Sequence, residues 1–120
     1  MKILIADDSR VMRQIVTRTL RQAGYGGHDL VEASDGKQAF DAVVAEKPDL
    51  VLSDWNMPEM TGVEVLRTLR ANGVQVPFGF VTSETSDEMR QLASDPGALF
   101  FITKPFTADS FRDALDLILG

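Results

Sequence analysis

The sequence predicts an α/β protein in which a doubly wound, five-stranded parallel sheet is covered by five helices. Short runs of aliphatic and β-branched residues alternate along the chain with segments whose apolar residues recur every three or four positions. Consecutive β–α units require right-handed crossovers, which produce a parallel sheet with helices on both faces. The 120 residues, of which 44% are hydrophobic, are enough for one domain with its own core, predicted over residues 1–120.

The strands are predicted where apolar runs are bounded by polar or turn-forming residues. They cover residues 2–6, 28–33, 49–53, 76–82 and 99–103. The first run, from Ile3 to Ala6, shows no polar alternation, which is typical of a strand buried on both faces. Gly79 interrupts the fourth run and is expected to weaken that strand.

The helices are predicted from apolar residues that share one side of a helical wheel. These sides are formed by Val11, Met12, Ile15, Val16, Leu20 and Ala23 in the first helix, Ala39, Phe40, Val43 and Val44 in the second, Val63, Val65, Leu66 and Leu69 in the third, Met89, Leu92 and Ala93 in the fourth, and Phe111, Leu115, Ile118 and Leu119 in the last, which runs from Ala108 to Leu119. Thr61 and Glu64 predict a capping box for the third helix. Because the fourth helix has few apolar residues, we expect it to be short and loosely held.

The polar side of the first helix carries Arg10, Arg13 and Arg21 beside Gln14 and Thr17. We interpret this side as a solvated face. The alternative is that it docks an acidic or phosphohistidine-bearing partner.

The composition limits the kinds of partner and location. Eighteen acidic against 12 basic residues give a net charge of −6, which argues against direct binding to nucleic acid or anionic lipid. No stretch approaches the roughly 20 apolar residues of a membrane span, so membrane insertion is not expected. The absence of cysteine excludes a disulfide framework and a thiolate metal site. We expect a cytoplasmic protein.

Charged side chains follow the predicted strands at their carboxyl ends. Asp7 and Asp8 follow the first strand, Asp54 the third and Lys104 the fifth, while Thr82 ends the fourth. Doubly wound sheets bind ligands beyond these ends, so the three carboxylates converge if the first and third strands are neighbours. Clustered carboxylates repel one another, and one lysine does not neutralise them. Oxygen ligands favour a hard divalent cation, and we predict Mg²⁺.

Each of these residues also has a purely structural interpretation. Asp7 and Asp8 could cap the first helix together with Ser9. Thr82 and Ser83 could be ordinary turn residues, and the lysine after the fifth strand could lie at the surface. The occurrence of all of them at strand ends in one sheet favours a common site.

Four motifs, in this order and spacing, resemble the response regulator receiver family. They are the acid pair Asp7-Asp8, the stretch Asp54-Trp55-Asn56-Met57-Pro58, the residue Thr82, and Lys104-Pro105-Phe106. The resemblance extends over essentially the whole chain and is strongest to the single-domain bacterial chemotaxis regulators. It implies a flavodoxin-like sheet with strand order 2-1-3-4-5, the order known for those regulators.

The resemblance implies a phospho-accepting switch of a two-component system that catalyses only its own phosphorylation and dephosphorylation. Asp54 would accept a phosphoryl group from a histidine kinase or phosphotransfer protein in a Mg²⁺-dependent reaction. Mg²⁺ would be held by Asp8, the Asp54 side chain and the main-chain carbonyl of Asn56, with Asp7 acting mainly through water.

The resemblance also implies a switch near the phosphoryl group. Thr82 would donate its hydroxyl to one phosphoryl oxygen and Lys104 would pair with another, with a cis bond before Pro105. Movement of Thr82 would vacate space for the ring of Phe101, which lacks the hydroxyl of the tyrosine common in chemotaxis regulators. This would alter the face formed by the fourth helix, fifth strand and fifth helix, where an output protein binds. Trp55 is expected to lie partly exposed at the cleft.

Three other functions share part of this pattern. A receiver fragment of a larger DNA-binding response regulator would carry the same motifs. A Mg²⁺-dependent aspartyl phosphatase of the haloacid dehalogenase type would need an Asp-x-Asp sequence after the first strand, whereas the two acids here are adjacent. A flavodoxin would need a hydroxyl- and glycine-rich phosphate loop, which the sequence ADDSR does not provide.

Overall fold

A computed structural model describes residues 1–27 and 29–119 as a parallel sheet covered by helices. The strands are β1 (Lys2–Ala6), β2 (Asp29–Ala33), β3 (Leu50–Ser53), β4 (Phe78–Thr82) and β5 (Phe101–Thr103). The helices are α1 (Arg10–Gln22), α2 (Gly36–Glu46), α3 (Gly62–Ala71), α4 (Asp87–Ser94) and α5 (Ala108–Leu119). The sheet order is β2-β1-β3-β4-β5 with all pairs parallel, which confirms the predicted fold class.

Every strand ends at the residue that the sequence predicts, whereas the starts of β3, β4 and β5 lie one or two residues later than predicted. For β4 the reason is Pro77, which has no amide hydrogen to contribute to the ladder. Its carbonyl still accepts a hydrogen bond from Val51 at 2.9 Å. Position 28, the predicted start of the second strand, lies outside the described residues.

The two faces of the sheet bury alternate residues of each strand. In β1, Ile3 and Ile5 pack in the cluster that contains buried residues of α1 and α5, while Leu4 packs in the cluster that contains those of α2 and α3. A strand that is covered on both faces has no polar alternation, as the sequence of β1 indicates. This burial fixes the strands and therefore the positions of their carboxyl ends.

The helices follow the predicted apolar patterns, with three exceptions. Val11, Val44 and Leu92 are 64%, 53% and 40% exposed, so their prediction as buried positions is wrong. Each of these three residues lies at the border of the apolar side of its helix. At that border, a helical wheel does not show whether a side chain contacts the sheet or water. Helix α4 has only eight residues, as expected. The side chain of Leu119 lies outside the described residues.

Hydrogen bonds at the start of α3 confirm the predicted capping box. The Thr61 hydroxyl accepts from the Glu64 amide at 3.3 Å, and the Glu64 carboxylate accepts from the Thr61 amide at 3.0 Å. The hydrogen bonds that the Thr61 amide and the Thr61 hydroxyl donate to the Glu64 carboxylate lower the pKa of Glu64. Among the helices that the structure describes, none is long and apolar enough to cross a membrane.

Gly79 does not interrupt β4, contrary to the expectation from sequence. The strand is continuous and all its residues are buried. A Cβ atom at Gly79 would lie 2.2 Å from the ring of Phe100, so this ring occupies the space that a side chain would need. A larger residue at this position would have to displace the Phe100 ring, which comes from the segment before β5.

Gly62 permits the close approach of α3 to the tip of β3. Its amide donates to the carbonyl oxygen of Trp55 at 2.7 Å, and a Cβ atom would lie 2.2 Å from the carbonyl oxygen of Asp54. The requirement is steric, because the obstructing atom belongs to the backbone. The start of α3 is thus packed directly against the residue that follows β3.

Replacing Gly62 with alanine should lower the free energy of unfolding by about 1–3 kcal/mol, the usual cost of adding atoms to a packed site. Urea unfolding followed by circular dichroism measures this loss. Gly27→Ala is the matched control, since nothing lies within 4 Å of its Cβ position. Equal midpoints for the two variants would contradict the steric argument.

Candidate functional site

Backbone hydrogen bonds extend the sheet one residue beyond three strands and fix the residues of the site. The amide of Asp7 donates to Ala33 at 3.1 Å, and the amide of Asp54 donates to Ala6 at 2.8 Å. The amide of Lys104 donates to the carbonyl of Thr82 at 2.8 Å. The main chain at Asp7, Asp54 and Lys104 is therefore held by a hydrogen bond to a neighbouring strand.

The three predicted acids converge at this edge of the sheet. Carboxylate oxygens of Asp7, Asp8 and Asp54 all lie within 4.8 Å of one another. The Nζ atom of Lys104 lies 3.0 Å from Asp7 Oδ2 and 3.5 Å from Asp54 Oδ2. The bond between Lys104 and Pro105 is cis, as the family resemblance implies. Asp7 is buried, Asp54 is partly buried and Asp8 is exposed.

Ser9, rather than either acid, caps α1. Its hydroxyl accepts from the Met12 amide at 3.2 Å. The carboxylate of Asp7 instead accepts from the Ser9 amide at 2.9 Å, and that of Asp54 accepts from the Trp55 amide at 2.7 Å. One oxygen of each buried acid is thus held by the backbone, while its other oxygen faces Lys104.

Burial raises the pKa of Asp54 above its ordinary value. The charge of Lys104 and the hydrogen bond from Trp55 act in the opposite direction, whereas the charge of Asp7 adds to the increase. Desolvation is the largest of these influences, because an ionised carboxylate loses hydration when it is buried. The ionised form of Asp54 would therefore be stabilised by further positive charge.

The donor set fits a hard divalent cation. The carboxylates of Asp7, Asp8 and Asp54 supply oxygen ligands, and Asn56 lines an open hollow together with Asp8. Mg²⁺ prefers one or two carboxylates with carbonyl and water oxygens. These residues could hold such an ion, and Asn56 lies on the side where Asp8 is open to solvent.

Thr82 presents a buried hydroxyl at the end of β4. The residue is fully buried, and in the part of the chain that the structure describes its Oγ1 is the one buried side-chain polar atom without a hydrogen-bond partner. Ser83, the neighbouring hydroxyl residue, is exposed. An unsatisfied buried hydroxyl usually costs about 1–3 kcal/mol, so it requires an explanation.

Aromatic rings pack directly behind the site. Trp55 is only 9% exposed, so its predicted exposure at the cleft is wrong. Its ring lies 5.0 Å from that of Phe80, which stacks on Phe101 with centroids 5.1 Å apart. The guanidinium of Arg90 lies over Phe101 at 4.9 Å from the centroid. Nothing in the sequence pattern indicates that Arg90 packs on this ring.

The fold and the site together define a class of protein: a flavodoxin-like α/β domain with an acidic cluster and a lysine at the carboxyl edge of its sheet. The family model of the response regulator receiver domain matches residues 3–116, and the chain belongs to this family of two-component signalling domains.

Chemotaxis proteins are among the similar sequences and structures. CheY1 of Helicobacter pylori is 36% identical over an alignment of 123 positions that covers 100% of this chain and 98% of that protein. CheY-3 of Vibrio cholerae is 38% identical over 98% of this chain and 91% of its own length. The structure of Vibrio cholerae CheY4 matches with a TM-score of 0.86 at 34% identity, covering 98% of both chains. The structure of the receiver domain of the putative response regulator NarL from Mycobacterium tuberculosis matches with a TM-score of 0.84 at 27% identity. The match covers 97% of this chain and 94% of that chain.

Thr82→Val should leave the free energy of unfolding unchanged or raise it, because the substitution removes a buried hydroxyl that has no partner while retaining its shape. Thr19→Val is the control, since the Thr19 hydroxyl donates to the Ile15 carbonyl at 2.8 Å. We expect the control to lose about 0.5–1.5 kcal/mol, the usual net value of one hydrogen bond. Urea unfolding compares the two, and a larger loss for Thr82→Val would mean that its hydroxyl is bonded in solution.

Proposed function

We propose that the chain is a phospho-accepting switch in which Asp54 takes a phosphoryl group from a histidine kinase or phosphotransfer protein. One observation carries this proposal: carboxylates from β1 and β3 converge within 4.8 Å, and Lys104 bridges Asp7 and Asp54. Such a cluster is stable only when positive charge shares the site. Phosphoryl transfer needs alignment and charge neutralisation, which this arrangement can provide.

Asp54 is the proposed nucleophile. One carboxylate oxygen is held by the Trp55 amide, which fixes the orientation of the group and leaves Oδ2 on the side of Lys104. Attack of an Asp54 oxygen on phosphorus forms an acyl phosphate, and the bond from phosphorus to the donor's imidazole nitrogen breaks with its electron pair going to that nitrogen. The Lys104 ammonium would then pair with a phosphoryl oxygen, as its distance from Asp54 allows.

Asp7, Asp8, Asp54 and the carbonyl of Asn56 are the groups that we propose to hold Mg²⁺. When bound, the ion would neutralise the repulsion between the nucleophile and the incoming phosphoryl oxygens. The buried Asp7 also positions the Lys104 ammonium through their 3.0 Å contact. The exposed Asp8 leaves the open side of the cluster accessible to the ion and the donor.

The proposed switch runs from Thr82 to Phe101. The unpartnered hydroxyl of Thr82 could donate to a phosphoryl oxygen and so gain its missing hydrogen bond. Phe80, two residues earlier on the same face of β4, stacks on Phe101 of β5. Movement of Thr82 would be transmitted through these rings to the face of α4, β5 and α5, where we propose that the output protein binds.

The stand-alone chemotaxis role is supported by similarity to CheY1 and CheY-3 over nearly their whole lengths. The alternative is the receiver portion of a larger DNA-binding regulator, since receivers of other response regulators share the fold. The mass of the native protein distinguishes the two. The cytoplasmic location expected from sequence stays a prediction, and so does the absence of any reaction beyond self-phosphorylation and self-dephosphorylation.

Asp54→Asn should abolish labelling by a small acyl phosphate donor in the presence of Mg²⁺, because the amide is not nucleophilic. Intact-mass spectrometry should show one added phosphoryl group on the unmodified chain and none on the variant. Asp41→Asn, at an exposed position of α2, is the control and should label normally. Undiminished labelling of Asp54→Asn would show that another residue is the phosphoryl acceptor.

Phe101→Leu should retain phosphorylation but reduce its effect on α4, because the smaller side chain no longer stacks between Phe80 and Arg90. Amide hydrogen exchange with and without the phosphodonor measures this effect in α4 and β5. Phe40→Leu, which alters the same core cluster from α2, controls for general loosening. An equal change in hydrogen exchange in wild type and Phe101→Leu would show that Phe101 is not part of the switch.

A further inference from the structure

Arg13 does not belong to the solvated face that the sequence predicts for α1. Its side chain is only 13% exposed and extends from the first turn of α1 to the tips of β1 and β2. The Nη1 atom donates to the main-chain carbonyl of Asp7 at 2.6 Å, and Nε donates to the Glu32 carboxylate at 2.9 Å. Arg18, on the same helix, is exposed. The two arginines therefore have different roles although both carry the same charge.

The bond from Arg13 acts on the peptide unit that joins Asp7 to Asp8. Asp7 is the last residue of this segment that the sheet holds, through its amide. Because a peptide unit is planar, a donor that fixes the Asp7 carbonyl also fixes the direction in which the chain enters Asp8. The following peptide unit is held as well, since the Ser9 amide donates to the Asp7 carboxylate. Asp8 thus lies between two anchored peptide units.

We propose that Arg13 is a positioning residue for the cation site. By holding the Asp7 carbonyl it orients Asp8, so that the exposed carboxylate meets those of Asp7 and Asp54. Glu32 holds the guanidinium in place from β2. This inference rests on the proposed function, because it concerns the affinity for the divalent ion. Neither Arg13 nor Glu32 touches the ion in this proposal.

An electrostatic role and a positioning role of Arg13 predict opposite changes in Mg²⁺ affinity when its side chain is replaced. A positive charge near the acidic cluster repels a cation, so charge alone predicts tighter ion binding after its removal. Loss of a hydrogen bond that orients a ligand predicts weaker binding, typically by 10–100-fold. The sign of the change therefore distinguishes the two explanations.

The experiment is a Mg²⁺ titration of the whole chain by isothermal calorimetry, at a temperature where circular dichroism shows each variant to be folded. We expect Arg13→Met to bind Mg²⁺ about tenfold more weakly than wild type. Arg18→Met makes the same change in net charge and should bind equally well or slightly more tightly. If Arg13→Met binds as tightly as Arg18→Met, the proposal is overturned.

Arg13→Lys tests the same point at constant net charge, and it serves if the methionine variant fails to fold. An ammonium group lacks the planar fork that lets one guanidinium donate to both oxygens, so we expect weaker Mg²⁺ binding than in wild type. Unchanged affinity would contradict the positioning role. A wild-type chain without any Mg²⁺ uptake would overturn the proposed function itself, so the two failures are distinguishable.

Discussion

The ion pair between Lys104 and two aspartates is the interaction on which the site depends. At separations up to 4.8 Å, the carboxylates of Asp7 and Asp54 repel by roughly 3–4 kcal/mol at an effective dielectric constant of about 20. The Lys104 ammonium, at 3.0 and 3.5 Å, attracts each of them by about 5 kcal/mol on the same scale. One lysine can therefore hold these two acids together, but the three carboxylates and the lysine still carry a net charge of −2. The remaining negative potential lies on the solvent side of the cluster, where a cation can enter.

The sheet positions these charged groups and also connects them to β5. Register pairs Phe80 with Phe101 and Thr82 with Thr103, so a change at the end of β4 is adjacent to β5. Asp54 is joined to the same region through Trp55, whose ring lies 6.2 Å from that of Phe101. The charged groups at the strand tips and the rings behind them are consequently one packed unit. Close-packed interiors transmit small displacements because they have little free volume.

The sequence predicts the carboxyl end of the sheet better than the rest of the structure, and the reason is chemical. A charged residue directly follows β1, β3 and β5, at Asp7, Asp54 and Lys104, so the sequence marks the ends of these strands. The starts of strands are predicted less well: β4 begins two residues later than predicted, after Pro77, which has no amide hydrogen for the ladder. A helical wheel does not predict the burial of a long side chain that extends from its helix to contact another element. Arg13 lies on the polar side of the helical wheel, but its long side chain reaches the tip of β1. Whether it can do so depends on the distance between α1 and the sheet, which a helical wheel does not contain.

The burial of Trp55 and the missing hydrogen-bond partner of the Thr82 hydroxyl are two features of the site that the sequence motifs do not predict. A residue after a strand tip is usually solvated, but here the chain turns so that the Trp55 ring packs on Phe80, while its amide binds Asp54. Asp54 is itself partly buried, and this desolvation raises its pKa. Thr82 is buried without a hydrogen-bond partner in the described chain, at a cost that a valine would avoid. Both the desolvation of Asp54 and the unpartnered hydroxyl of Thr82 lower stability locally, and sites of function are where a fold tolerates such costs. In the proposed function, a phosphoryl group on Asp54 would supply acceptor oxygens for the hydroxyl and for Lys104, and the hydrogen bond that Thr82 would gain would favour the switched state.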